Sequence, residues 1–343
     1  MNGVSAPPAA RSRTRHQVTC TVVLAVILLV ALALSLAIGA RSISLAVVAD
    51  ALRGADTSAD AVVITSQRLP RTVLGLLAGV AFGMAGALMQ GHTRNPLADP
   101  GLFGVNAGAG FAVAVTAFAF GVSSPIGIIG AALIGAALAS FLVFFLGLGH
   151  LRGGALVMLA VIGTTVSALL SSLTSGIVLL DRQSLDVMRF WEVGSLAGRD
   201  IGYLPLLTGL ILVGAVIAIA NGFSINSLGL GEDVARSLGV SVATARVLGI
   251  IGITLLAGSA TAACGPVVFV GLVAPHAARL ISGHDYRWLV PQAGLIGAAL
   301  LLIADTIGRI AASPGELQVG IVMAIIGAPV LIAITRRRRM VAL

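Results

Sequence analysis

Apolar side chains run through this sequence in long unbroken blocks, not in the alternating stripes of half-buried strands or surface helices. Ten blocks stand out: Val18–Ile38, Thr72–Met89, Ala107–Phe120, Ile126–Leu148, Ala155–Leu180, Tyr203–Ala220, Val242–Ala263, Val267–Leu280, Leu289–Ile307 and Gly320–Thr335. The hydrocarbon core of a bilayer is about 30 Å thick and takes about 20 apolar residues in helical form. The pattern therefore predicts an all-α integral membrane protein of about ten transmembrane helices. The third and eighth blocks hold 14 residues each, too few to cross the full thickness as plain helices. The first block, at 21 residues, exceeds the roughly 7–15 of a signal-peptide core, so it is expected as an uncleaved span. Residues 1–17 are then a basic N-tail, 18–335 the transmembrane domain and 336–343 an Arg-rich C-tail.

Breaks within the blocks carry as much information as the blocks. Gly75, Gly79 and Gly83 form overlapping small-x-x-x-small steps, and Gly104 and Gly108 form another. Such steps let helix backbones approach closely in lipid, where no hydrophobic force drives association. Two segments mix proline and glycine: Gln90 through Asn95-Pro96 to Pro100 and Gly104, and Cys264-Gly265-Pro266 through Gly271 to Pro275-His276. Proline breaks the helical ladder, and irregular backbone at membrane depth is tolerated only where protein or a water-filled cavity covers it. Corresponding interruptions in two halves point to inverted repeats; two ordinary tight turns are the alternative. In the fifth block Thr164, Ser167, Ser171 and Ser175 share one helical face. They form one wall of a polar pathway or bond back to their own preceding carbonyls.

The polar gap after the sixth block contains Glu232-Asp233-Val234-Ala235-Arg236-Ser237-Leu238-Gly239. Acids suit the first turn of a short helix and glycine its stop. Val234 and Leu238 give it an apolar i,i+4 stripe. A helix this short is marginal alone, so either another surface packs on it or it is a solvated connector.

Composition removes whole classes of function. Hydrophobic residues make up 58% of the 343 and charged residues 10%, with a mean hydropathy of +1.07. Soluble domains carry roughly 25% charged residues, so a water-soluble enzyme is excluded. All 21 basic residues are arginine, which excludes a P-loop ATPase and Schiff-base chemistry, both of which need lysine. No His-Glu-x-x-His zinc helix or Gly-x-Ser-x-Gly elbow occurs, the five histidines are dispersed, and Cys20 and Cys264 lie in or beside apolar blocks. No metal site is expected. The net charge of +8 does not indicate nucleic acid, because the arginines lie scattered between apolar blocks and act as topology signals. With the N-terminus inside, thirteen fall on inner segments, among them Arg336 to Arg339, and eight on outer ones. Both termini are therefore expected in the cytoplasm, the chain lying in a bacterial inner membrane. Only Asp305 lies near a span interior, four residues before Arg309, so the chain lacks the buried carboxylate relays of an ion-coupled carrier. Its energy is expected from another subunit; a secondary carrier or channel is the alternative.

An ordered set of short motifs resembles the FecCD-type permeases, membrane subunits of ATP-driven importers of iron–siderophores, haem and cobalamin. They are Arg68-Leu-Pro-Arg71, Gln90 with Asn95-Pro-Leu-Ala-x-Pro100, Trp191-x-x-Gly194-Ser195-Leu, Ala235-Arg-Ser-Leu-Gly-Val240, Gly265-Pro266-x-x-Phe269-x-Gly271-Leu-x-x-Pro275-His276-x-x-Arg279, Ala304-Asp305 with Arg309, and Glu316-Leu-x-x-Gly320. Gln318 stands where such permeases usually have proline, which loosens the start of the last helix. The resemblance implies an inverted-repeat bundle of the type II ABC-importer kind. It implies a pair of permeases around a central path, two ATPase subunits holding ATP and magnesium on the cytoplasmic side, and an extracytoplasmic binding protein. No cofactor is implied for this chain itself. Glu232 to Gly239 then resemble the coupling helix that seats in the ATPase. Arg68, Arg71 and Arg309 resemble cations that meet acidic groups of the binding protein. Asn95 and the 151–154 loop with Arg152 and Gly153 resemble parts of an inner gate. An iron–siderophore is the cargo favoured by this resemblance, ahead of haem and cobalamin.

Overall fold

The computed structural model describes residues 8–39, 41–147, 155–198, 202–313 and 315–336. Arg152, Gly153 and Arg337 to Arg339 lie outside them. Among the described residues the α-helices are α1 (Pro8–Ala37), α2 (Leu45–Leu52), α3 (Ala59–Val63), α4 (Leu69–Thr93), α5 (Val105–Phe120), α6 (Pro125–Gly147), α7 (Ala155–Leu180), α8 (Arg182–Trp191), α9 (Leu204–Gly229), α10 (Glu232–Ser237), α11 (Val242–Cys264), α12 (Val270–Ser282), α13 (Tyr286–Ala311) and α14 (Val319–Arg336).

Ten of these correspond to the ten apolar blocks, and seven are long and apolar enough to cross a membrane. At about 1.5 Å per residue, α5 and α12, with 16 and 13 residues, fall short of the hydrocarbon thickness, as their short blocks predict. Several boundaries differ from the hydropathy pattern. The first helix starts at Pro8, inside the segment expected as a polar tail. The second span begins well before Thr72: α3, a π-helical turn over Ile64–Arg68 and α4 run on without a break. Arg68 and Arg71 therefore sit on a helix, not in a loop. The short helices α2, α3 and α8 have no apolar block of their own.

At the centre α4 packs against α13, α11 and α12, and glycine decides how closely. A Cβ at Gly83 would collide with the Ala293 carbonyl, one at Gly79 with the backbone of Gly297 and Ala298, and one at Gly86 with the Gly271 carbonyl. The first two contacts form an α4–α13 seam in which backbone meets backbone, as the small-residue spacing predicts. The third has a further cause. Pro275 lies inside α12 and has no N–H, which frees the carbonyl four residues earlier, that of Gly271; Gly86 is the residue against it. The expectation that Pro275 and His276 belong to irregular backbone is thus corrected: that segment ends at Phe269, and both residues are helical.

The two irregular segments meet. Gly271, at the edge of the second, lies against the Pro100 ring and the Asp99 carboxylate of the first. Asp99 accepts from the Gly101 N–H at 2.9 Å and opens a single 3-10 turn, Pro100–Phe103. A third strand of irregular backbone closes the centre. The Ser195 N–H donates to the Cys264 carbonyl at 2.7 Å, and the Gly320 N–H to the Gly194 carbonyl at 3.1 Å. The Trp191-to-Ser195 motif, Gly265-Pro266 and the start of α14 are therefore one hydrogen-bonded knot. α14 begins directly after Gln318, whose carbonyl accepts from Ile321 and Val322, so glutamine at this position does not unwind it.

Replacing Gly83 by alanine is expected to lower stability by about 1–3 kcal/mol through overpacking. The same change at Gly209, where a Cβ meets open space, is expected to be neutral. Thermal unfolding of the two variants in detergent measures the difference.

Candidate functional site

Arginines dominate one end of the bundle. The last four carbonyls of α1 have no partner within that helix, and each is nevertheless satisfied. Leu34 accepts from the Ile38 N–H at 2.8 Å. Ser35 accepts from Arg309 Nη1 at 2.9 Å. Leu36 and Ala37 accept from Arg68 Nη1 at 2.7 and 2.8 Å. Cations at a helix C-terminus also complement its dipole. Arg68 Nη2 reaches the Arg41 carbonyl at 2.5 Å, so one guanidinium fork holds three backbone oxygens.

Arg71, in the first turn of α4, faces α13. Its Nε and Nη2 bracket the Asp305 carboxylate at 2.8–3.1 Å, and its Nη1 donates to Glu316 Oε2 at 2.7 Å. Asp305 is 1% exposed. Arg309 Nε stands 3.3 Å from Asp305 Oδ2, which bears out the i,i+4 pair, but Arg71 is the bidentate partner that the sequence does not reveal. Ser35, Thr72 and Thr306 complete the shell around Arg309.

Arg68, Arg71 and Arg309 are therefore not rim cations standing free in water. Arg68 and Arg309 are buried and Arg71 nearly so; all three are engaged internally, and the sequence-based picture is corrected to that extent. They line, together with Arg41 and Glu316, a recess of about 530 Å³. Its lining carries four guanidinium groups and the Glu316 carboxylate; with Asp305 on Arg71 and Arg309 and Asp60 on Arg41, one positive charge is left in excess.

At the opposite end, α10 stands where the polar gap predicts a short helix. Glu232 and Asp233 occupy its first turn, and Gly239 follows it at φ +82°. Arg236 pairs with Asp233 at 2.8 Å and Glu232 at 3.1 Å. Glu232 also receives Arg246 of α11 at 2.5 Å. Ala235 is fully buried on α9 and α11, while Val234 and Leu238 are 44% and 56% exposed. The apolar stripe thus faces away from the bundle. Nearby, Asn226 of α9 donates to Asp285 Oδ1 at 2.8 Å and accepts from the Tyr286 N–H at 2.9 Å. Hydrogen bonds from Arg287 first, then from Asn226, hold the Asp285 carboxyl down at about 2.

The remaining candidates separate. Gln90 is buried, donates to the Leu272 carbonyl and accepts from Arg279 at 2.8 Å, so it ties α4 to α12. Asn95 is exposed, and its Oδ1 accepts from the Leu97 N–H at 3.0 Å, capping its own turn; Pro96 lies within that turn. On α7, Thr164 bonds back to Val161 and Ser175 to Ser171. Thr164, Ser171 and Ser175 lie on an exposed face, and the bonds back to preceding carbonyls are the alternative seen for Thr164 and Ser175. Residues the sequence did not single out include Arg41, on the recess wall, and Arg94, which donates to the Leu228 carbonyl. A positive φ at a non-glycine residue is not legible in sequence.

Replacing Asp305 by asparagine is expected to cost on the order of 3–5 kcal/mol, because the buried Arg309 loses its carboxylate partner and Arg71 keeps only Glu316. Adding Arg71→Met to that variant is expected to recover part of the loss. Chemical unfolding of the single and double variants gives the coupling.

Comparison with known proteins places these ends in context. Residues 27–337 match the FecCD transport family. The chain is 48% identical over 303 residues to the ferric enterobactin transport system permease protein FepD of Escherichia coli (strain K12), covering 88% of this chain and 90% of that protein. It is 37% identical over 302 residues to the Fe(3+)-citrate import system permease protein YfmD of Bacillus subtilis (strain 168), with 88% and 90% covered. A solved structure of a metal-chelate type ABC transporter in an inward-facing conformation superposes with a TM-score of 0.81 at 29% identity, covering 92% of this chain and 97% of that one. The chain belongs to the FecCD transport family.

Proposed function

We propose that this protein is the permease subunit of an ATP-binding-cassette importer and forms, with a second permease, the path for an iron(III)–siderophore chelate. The observation that carries this reading is its nearly end-to-end similarity to a ferric enterobactin permease. Haem and cobalamin are the less favoured cargoes. The chain contributes no covalent chemistry and no ATP site: it has no lysine for a P-loop. ATP and magnesium belong to two separate ATPase subunits.

The two ends of the bundle take different partners. The α10 end faces the cytoplasm, because the arginine asymmetry between inner and outer segments favours that orientation. There, exposed Val234 and Leu238 on a six-residue helix offer a small apolar knob for a groove of the ATPase subunit, with Glu232, Asp233, Arg236 and Ser237 around it. The arginine recess faces outward. Its excess positive charge receives an acidic side chain of the binding protein, which serves registration and association rate more than affinity. The exposed hydroxyl face of α7 lines the path, and the Asn95 turn and the 151–154 loop gate it at the inner end. ATP binding draws the two ATPase subunits together, moves α10 and tilts the bundle between outward and inward access.

Two outcomes are expected. Vesicles containing the permease, its ATPase and an external binding protein import ferric enterobactin only with ATP inside; uptake driven by a pH or sodium gradient without the ATPase would instead identify a secondary carrier. Leu238→Ala reduces co-purification of the ATPase subunit severalfold while leaving thermal stability unchanged, since the side chain makes little contact with its own bundle.

A further inference from the structure

Among the described residues, two that are not glycine hold a positive φ: Arg94 at +49° and Phe269 at +71°. A Cβ resists this conformation sterically, so such a residue persists where its surroundings hold it. The two sit at opposite ends of the two irregular segments. Arg94 is the C-cap of α4 and opens the irregular segment that carries Asn95. Phe269 is the N-cap of α12 and closes the other. Each is clamped by a different helix. The Phe269 ring lies against Gly327 of α14, where a Cβ would collide with it. The Arg94 guanidinium donates to the carbonyl of Leu228, just before the end of α9 and the start of α10.

The Arg94 contact differs from those of Arg68 and Arg309. The Leu228 carbonyl already accepts from the Gly231 N–H at 3.0 Å, so the end of α9 is satisfied without it. Arg94 itself is exposed, so its charge needs no buried partner. The bond ties the Arg94 side chain to the base of α10. The position on α4 matters as well. This helix carries Arg71 in its first turn and Arg94 at its end, 25 residues that span about 37 Å. At Gly79, Gly83 and Gly86 it meets neighbouring backbone directly, with no side chain between at those three points. One stiff helix thus joins the arginine recess to the base of α10.

We propose that Arg94 is a positioning residue, a latch that ties the Asn95 turn to the α9–α10 corner: movement of α10 breaks the Arg94–Leu228 bond, and the turn then leaves its left-handed conformation. This rests on α10 being the seat of the ATPase subunit. The test uses the assembled importer in vesicles, with Arg94→Gly and Arg94→Lys. Glycine adopts a positive φ without steric resistance, so Arg94→Gly is expected to keep or raise thermal stability and to retain the ATPase subunit. Its ferric enterobactin import per ATP hydrolysed is expected to fall about tenfold, within the usual range of coupling between sites. Arg94→Lys, which keeps a cationic donor, is expected to restore part of that ratio. A wild-type transport-to-hydrolysis ratio in Arg94→Gly would overturn the latch. So would a fall in its thermal stability, which would make Arg94 a plain helix cap, or an Arg94→Lys variant as uncoupled as glycine. Failure of any ATPase subunit to associate with the unmodified chain would instead overturn the permease reading itself.

Discussion

In hydrocarbon there is no water to satisfy a carbonyl at a helix end, and an unpaired guanidinium is costlier still. This chain answers both problems with the same groups. Arg68 and Arg309 bring the cations, and the end of α1 brings the oxygens. Asp305 then pairs with both Arg71 and Arg309, and Glu316 supplies a second carboxylate to Arg71. Each group is affordable only because the other is present. That mutual requirement fixes where α1, α4 and α13 end relative to one another. It also suits arginine better than lysine, since a planar fork can hold several oxygens at once. The recess lies beside this junction, closed on its other side by Leu196, Ala197 and Gly198.

The glycine seams set the stiffness of the remainder. Where Gly79, Gly83 and Gly86 meet backbone, helices cannot slide without a clash, so relative motion is directed to the places that lack such seams. Those include the turn at Asn95 and the hydroxyl-bearing face of α7, whose residues are largely exposed in the single chain; the Gly265-Pro266 segment is itself held in backbone contact with Trp191 and Gly194. A permease built in this way has a rigid middle and two ends that differ in charge and in apolar exposure.

Much of the candidate site was legible because its parts are chemically conspicuous. Arginines beside a lone buried aspartate, paired prolines between apolar blocks and an acidic-to-glycine polar gap all stand out against a background this apolar. Their placement was less legible. Arg68 and Arg309 read as surface cations because sequence shows which charges lie near a span end but not which carbonyls wait there. Pro275 read as a break because its effect on a helix depends on whether a neighbour accommodates the freed carbonyl, and Gly86 does. Arg94 carried no signal at all, since its partner, the Leu228 carbonyl, lies 134 positions away.

By itself the sequence determined that this is a helical membrane protein and roughly where its apolar spans fall, because hydropathy is a property of residues one at a time. The tertiary structure alone decided that three arginines turn inward onto the end of α1 and onto Asp305, that the two irregular segments touch, and that Val234 and Leu238 face outward. Those are questions of which buried group finds which partner, and in lipid that choice is made by the packing of helices distant in sequence.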